Sequence, residues 1–166
     1  MGPDELHRVA AGIALLVLDV DGVLTDGRLR FDADGRESKE FHVRDGYGIR
    51  QLQDAGVQVA VISGRQSPAA AARLAELGIA EAHLGRNDKR RVFDELLARL
   101  RLAPPQVACM GDDVPDLDIM ATAGLGITVA DAHPMVLAAA DWVTRAAGGR
   151  GAVREACDLL LAARPR

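Results

Sequence analysis

The chain has 166 residues, 49% of them hydrophobic and 27% charged, with a formal net charge of −4. That balance describes one globular domain large enough to build a core without disulfide or metal staples. Aromatics at 3% leave no stacking platform for single-stranded nucleic acid, and the longest apolar run, Val9 to Leu18, is far short of the roughly twenty residues that span a bilayer. No nucleic-acid or membrane partner is therefore expected. The same run leads into Asp19 without a small-residue cleavage site, which makes the cytoplasm the expected location. Cys109 and Cys157 are far apart and have no ligand-spaced partner, so both are expected in the core.

In chain order, Ile13–Leu18 is a short continuous apolar run ending in acid and glycine, as in a strand buried on both faces of a parallel sheet. Arg28–Ala33 and Arg36–Val43 flank Asp34-Gly35 and predict a protruding β-hairpin, which needs a second subunit or the site itself to lie against. A helix is predicted over Gly46–Ala55 after Asp45, a strand over Val57–Ile62, and a helix over Pro68–Leu77 with Ser67 as its N-cap. Strand Ile79–Leu84, helix Lys89–Leu100, strand Gln106–Met110 and helix Pro115–Ala123 follow. Gly126–Val129, Pro134–Ala139, Trp142–Thr144 and Ala152–Ala163 complete the alternation, with Gly78 and Gly124 as left-handed helix stops. Alternating strands and helices predict a doubly wound, Rossmann-like α/β domain with its site beyond the carboxyl ends of the strands.

Polar residues gather at those ends. Asp19 and Asp21 stand two apart after the first strand, where their repulsion calls for a cation or a proton, although Asp21-Gly22 is also good turn chemistry. Ser63-Gly64-Arg65 ends the second strand and reads either as a turn or as a hydroxyl with free backbone donors. Lys89 follows the third, as a solvated first-turn cation or a functional amine; only two lysines, Lys39 and Lys89, stand among 20 basic residues, which favours function. Asp112, Asp113 and Asp116 surround the turn after the fourth strand. N-capping uses one acid and hardly three, and acids clustered near Asp19 invite Mg2+.

The order Asp-x-Asp, Ser, Lys, Gly-Asp-Asp-x-x-Asp at successive strand ends resembles the haloacid dehalogenase superfamily of aspartate-dependent phosphohydrolases. Three segments, Asp19–Gly27, Phe41–Ile49 and Val129–Pro134, together with Val143–Arg145 and Gly148–Glu155, resemble more closely its 3-deoxy-D-manno-octulosonate 8-phosphate phosphatase family. The resemblance implies a single phosphatase domain over residues 1–166 that hydrolyses this phosphomonoester in lipopolysaccharide precursor biosynthesis. It implies Asp19 as nucleophile, Asp21 as acid and base, and Ser63, Lys89 and backbone near Gly64 as phosphate ligands. Mg2+ would be held by the Asp19 carboxylate, the Asp21 carbonyl and Asp112, with Asp113 and Asp116 behind them.

The spacings Asp19 to Ser63 and Ser63 to Lys89 leave no room for a cap domain, so the site must be closed by other subunits or accept a large substrate. The resemblance implies a ring-like homotetramer. It also carries over His42, Val43, Arg44, Asp45, Gly46, Arg50, Arg65 and Arg73 as contacts to a phosphorylated 2-keto-3-deoxy sugar acid, partly across an interface. Arginine's fork suits the sugar carboxylate. The competing readings are a phosphatase for a nine-carbon sugar acid 9-phosphate, an idle oligomerisation module, and a receiver-like domain; a receiver has no use for Asp21.

Overall fold

The computed structural model describes residues 1–164. After an opening helix α1 (Pro3–Ala11), strand β1 (Leu15–Leu18) leads into a two-stranded ribbon, β2 (Arg30–Phe31) and β3 (Glu37–Ser38). Helix α2 (Val43–Asp54), β4 (Gln58–Ile62), α3 (Pro68–Glu76), β5 (Glu81–His83), α4 (Lys89–Leu100) and β6 (Val107–Gly111) follow. The chain continues through α5 (Leu117–Thr122), β7 (Leu125–Thr128), α6 (Pro134–Ala139), β8 (Trp142–Val143) and α7 (Ala152–Ala162).

Six strands form one sheet in the order β5-β4-β1-β6-β7-β8, every neighbouring pair parallel. Parallel crossovers are right-handed, so helices lie on both faces and the central strands are covered twice. The sequence shows this directly: all four residues of β1 and all five of β6 are buried, with no polar side to either strand. Helix α2 packs on α7, and α4 on α5. Both cysteines are free and buried, as expected, and burial pushes the Cys157 thiol up to about 12.

The predicted elements recur with small changes of boundary. Ser67 caps α3 by accepting from the Ala70 N–H at 3.3 Å. Four readings need correction. The apolar stretch Val9–Leu18 is two elements, since it contains the end of α1 and the whole of β1, and α1 itself was not anticipated. The hairpin turns where Asp34-Gly35 predicts, but each strand is only two residues long. Helix α2 begins one turn earlier than predicted, because His42 Nδ1 accepts from the Arg44 N–H at 3.2 Å and serves as the cap in place of Asp45. Gly78 does end a helix at positive φ (+70°), whereas Gly124 does not: a Cβ there would lie 2.5 Å from the Pro105 carbonyl oxygen, so close backbone approach explains that glycine.

Candidate active site

β1 and β6 are neighbours at the point where the winding of the sheet reverses direction, and a crevice opens there beyond the strand ends. The Asp19 N–H donates to the Met110 carbonyl at 3.0 Å, extending the ladder by one residue and setting Asp19 beside the acids that follow β6. The loop after Asp19 is tied down by Thr25, whose buried hydroxyl accepts from the Gly22 and Gly27 N–H groups at 3.3 and 3.2 Å. Gly22 has φ +88°, and a Cβ on it would lie 2.0 Å from Asp112 Oδ2, so only glycine lets this loop close on Asp112.

Asp116 organises the second loop from a buried position. Its Oδ1 accepts from Lys89 Nζ at 2.6 Å, while Oδ2 accepts from the N–H groups of Asp112 and Asp113 at 3.2 and 3.4 Å. Asp113 caps the turn by accepting from the Val114 N–H at 2.8 Å, and the Asp116 contact to the Asp113 N–H completes a capping box. Lys89, the first residue of α4, also lies 3.1 Å from Asp19 Oδ1. Burial and then the Asp116 charge push Asp19 up to about 6, against the pull of Lys89. Burial, with Asp19, Asp116 and Asp113 nearby, raises Asp112 to about 7. Burial draws Lys89 down, but Asp19 and Asp116 together outweigh it and hold the ammonium above its ordinary range.

This donor set fits a hard divalent cation. Carboxylate oxygens of Asp19, Asp112 and Asp116 lie within 4.8 Å of one another, and Asp112 Oδ1 is buried without a hydrogen-bond partner. Asp116 is already engaged by Lys89 and two backbone N–H groups, so Asp19 and Asp112 offer the free lone pairs. All-oxygen, anionic ligands suit Mg2+.

A cavity of about 430 Å³ opens over this cluster and is lined by Asp19, Asp21, Ser63, Gly64, Arg65, Lys89, Asp112, Asp113 and Asp116. All were singled out from sequence. Ser63 is held at the end of β4 by its N–H, which donates to the His83 carbonyl at 2.9 Å.

The remaining residues expected to contact the sugar lie elsewhere. Asp45 is 1% exposed and turns inward, where Oδ1 accepts from the Arg154 N–H at 2.7 Å near the start of α7. In that position it holds α7 and does not line the cavity. Arg50 donates to the Glu76 carbonyl at 2.8 Å and Arg73 to the Glu76 carboxylate at 2.9 Å. With Val43 and Gly46 they line a separate groove between α2 and α3, of about 220 Å³. His42 is spent as a cap, and Arg44 is exposed beside it.

Three cavity-side residues escaped the sequence analysis. Asn87 lines the cavity from the loop before Lys89. Lys39, just past β3, pairs with Asp21 and lies 3.3 Å from Glu37. Glu37 accepts from Arg65 at 2.6 Å, and that guanidinium, with help from Ser67 and Lys39 and against burial, holds its carboxyl down at about 2. The rarity of lysine pointed to Lys39 as much as to Lys89. No local pattern marked Glu37.

A six-stranded parallel sheet in this order, with Asp-x-Asp, Ser, Lys and a second acid cluster along its carboxyl edge, defines a haloacid dehalogenase-like hydrolase. It is a capless one, since only the ribbon, α2 and β4 separate Asp19 from Ser63. The family model of haloacid dehalogenase-like hydrolases matches residues 85–155. The 3-deoxy-D-manno-octulosonate 8-phosphate phosphatase of Escherichia coli strain K12 is 51% identical over 154 residues, 93% of this chain and 82% of that protein. The crystal structure of the Yersinia pestis phosphatase of the same name superposes with a TM-score of 0.95 at 49% identity, covering 97% of this chain and 87% of the other. The Moraxella catarrhalis enzyme, crystallised with magnesium ion, phosphate ion and 3-deoxy-D-manno-octulosonate (KDO), gives 0.96 at 38% identity over 98% and 94% of the two chains. The chain belongs to the 3-deoxy-D-manno-octulosonate 8-phosphate phosphatase family of haloacid dehalogenase-like hydrolases.

Proposed function

We propose that the chain is a Mg2+-dependent phosphatase that converts 3-deoxy-D-manno-octulosonate 8-phosphate to 3-deoxy-D-manno-octulosonate and phosphate, a step in lipopolysaccharide precursor biosynthesis. The observation that carries the reading is the Asp19 carboxylate, set against Lys89 at the cavity floor, with Ser63 and Asp21 on the walls. Asp19 attacks phosphorus as the bond from phosphorus to the sugar oxygen breaks, and Asp21 gives that oxygen its proton. Water then attacks the aspartyl phosphate, its proton passing to Asp21, which restores the starting state. Lys89, Ser63 and the backbone near Gly64 hold the phosphoryl oxygens and offset charge on them in flight. Asp19, Asp112 and the Asp21 carbonyl are the groups that would hold Mg2+, with Asp116 and Asp113 fixing the Asp112 loop. When bound, the ion supplies positive charge against the repulsion between nucleophile and phosphate.

Within one chain, only Gly64 and Arg65 of the proposed sugar-binding residues outside the acid and lysine set reach the cavity. We assign His42, Val43, Arg44, Gly46, Arg50 and Arg73 to a surface offered to a neighbouring copy in a homotetramer. Exposed Val43 and Tyr47 on the same helix, and Leu29 and Phe31 on the ribbon, are apolar side chains that such a neighbour would cover. The cytoplasm is the assigned location; no described helix is long and apolar enough to cross a membrane.

The test is phosphate release with Mg2+ from octulosonate 8-phosphate, nonulosonate 9-phosphates and hexose phosphates, with Asp19→Asn as the control. Preference for the octulosonate that vanishes in the variant is the expected result. A nine-carbon preference moves the substrate and keeps the chemistry, whereas no turnover of any keto sugar acid phosphate refutes the proposal.

A further inference from the structure

Lys39 is the other lysine of the chain, and the reaction described above makes no use of it. Its side chain is 1% exposed, more enclosed than Lys89 at 6%. Burying an ammonium costs several kcal/mol unless its partners are well placed. The partners here are Asp21 Oδ1 and, at 3.3 Å, Glu37 Oε1. Lys39 arrives from the end of an otherwise open ribbon, in which both residues of β2 are exposed. A solvated ornament is therefore excluded, and Lys39 meets the cavity through Asp21, which lines it.

The geometry around Asp21 is asymmetric. Lys39 sits on Oδ1, whereas the nearest cation to Oδ2 is Arg65 Nε at 3.9 Å, beyond hydrogen-bond reach. Arg65 is itself tied to Glu37 at 2.6 Å and is about half exposed. Glu37 thus fixes both cations, one buried and one at the rim, and Lys39 fixes the carboxylate. One oxygen of Asp21 is pinned, and the other accepts no hydrogen bond from the described residues.

We infer that Lys39 is a positioning residue for Asp21: by holding Oδ1 it turns Oδ2 toward the leaving oxygen of the substrate. The inference rests on the proposed role of Asp21 as the acid of the first step. The proton moves from Oδ2 to the sugar oxygen as the bond to phosphorus breaks, and the carboxylate so formed stays in place because Lys39 still holds it. The ribbon thereby acts on the chemistry of its own chain through Glu37 and Lys39, whatever else it contacts.

A sugar alkoxide needs that proton, and p-nitrophenolate does not. The decisive comparison is kcat/KM, which reports steps through loss of the leaving group, for octulosonate 8-phosphate against p-nitrophenyl phosphate in wild type, Lys39→Met and Lys39→Arg. Loss of general acid catalysis is worth about 100-fold or more. Lys39→Met is expected to lose about that factor on the sugar phosphate and under about 3-fold on p-nitrophenyl phosphate, with Lys39→Arg recovering much of the difference. A merely structural role lowers both substrates alike, and that result, or no loss on the sugar phosphate, overturns the inference. Should Lys39→Met fail to fold, Lys39→Gln carries the same comparison. Asp21→Asn separates the two levels: if it shows no dependence on leaving group, the acid assignment itself falls, and if it does while the Lys39 variants do not, only the positioning role falls.

Discussion

Replacing Lys89 by methionine preserves length and apolar stem while removing the one cation that, among the described residues, pairs with Asp19 and Asp116. At 2.6 and 3.1 Å, each contact is worth about 5 to 6 kcal/mol of gross attraction at an effective dielectric of about 20. Desolvation of the three ions takes back most of that. What the variant leaves behind is two buried carboxylates without their cation, and breaking a buried pair from one side costs about 3–5 kcal/mol. Divided by a urea slope of about 2 kcal/mol per molar, this moves the unfolding midpoint down by about 2 M. The measurement is equilibrium urea unfolding of wild type and Lys89→Met in EDTA, at about pH 5 and about pH 8. The deficit should shrink at the lower pH, where Asp19, raised to about 6, takes up a proton and no longer needs the cation. Added Mg2+ should restore part of the loss at the higher pH. A variant as stable as wild type at pH 8 in EDTA would show that the ammonium is not balancing these carboxylates.

Three further outcomes follow from the same geometry. Because the folded pKa values of Asp19 (about 6) and Asp112 (about 7) lie above the unfolded value of 3.8, the native state holds the extra protons between these limits. Stability of the metal-free protein should therefore fall as pH rises from about 4 to about 8, and Mg2+ should flatten the curve; thermal melts across pH with and without the ion check this. Gly22→Ala forces a side chain at φ +88° and drives Asp112 Oδ2 from its place, so the Mg2+-induced rise in melting temperature should largely disappear, at a stability cost of about 1–2 kcal/mol. Arg101 ends α4 at φ +56°, a left-handed position without glycine, and Arg101→Gly should stabilise by about 0.5–1 kcal/mol in urea unfolding with activity unchanged.

What was legible before folding was whatever a local pattern encodes. Runs such as Leu15–Leu18 and Val107–Gly111 are apolar on both faces, which only a strand inside a parallel sheet requires, so alternation with helical segments settled the fold class. The cavity-lining acids, Ser63 and Lys89 were legible for a related reason: a doubly wound sheet delivers every strand end to one edge, so polar residues after successive strands must meet. Helix α1 was missed because its last residues are apolar and continue into β1, hiding the break at Gly12.

The tertiary structure alone decided contacts that no period links. Lys39 reaches Asp21 across 18 residues, and Asp45 reaches the Arg154 N–H across 109. In both cases a charged side chain had a plausible surface reading, and the choice between surface and interior depended on which distant backbone or carboxylate folding would bring to it. Burial of a charge is favourable only when its partner arrives with it, so the direction in which Asp45 and Lys39 turn belongs to the assembled fold and to no segment of the chain.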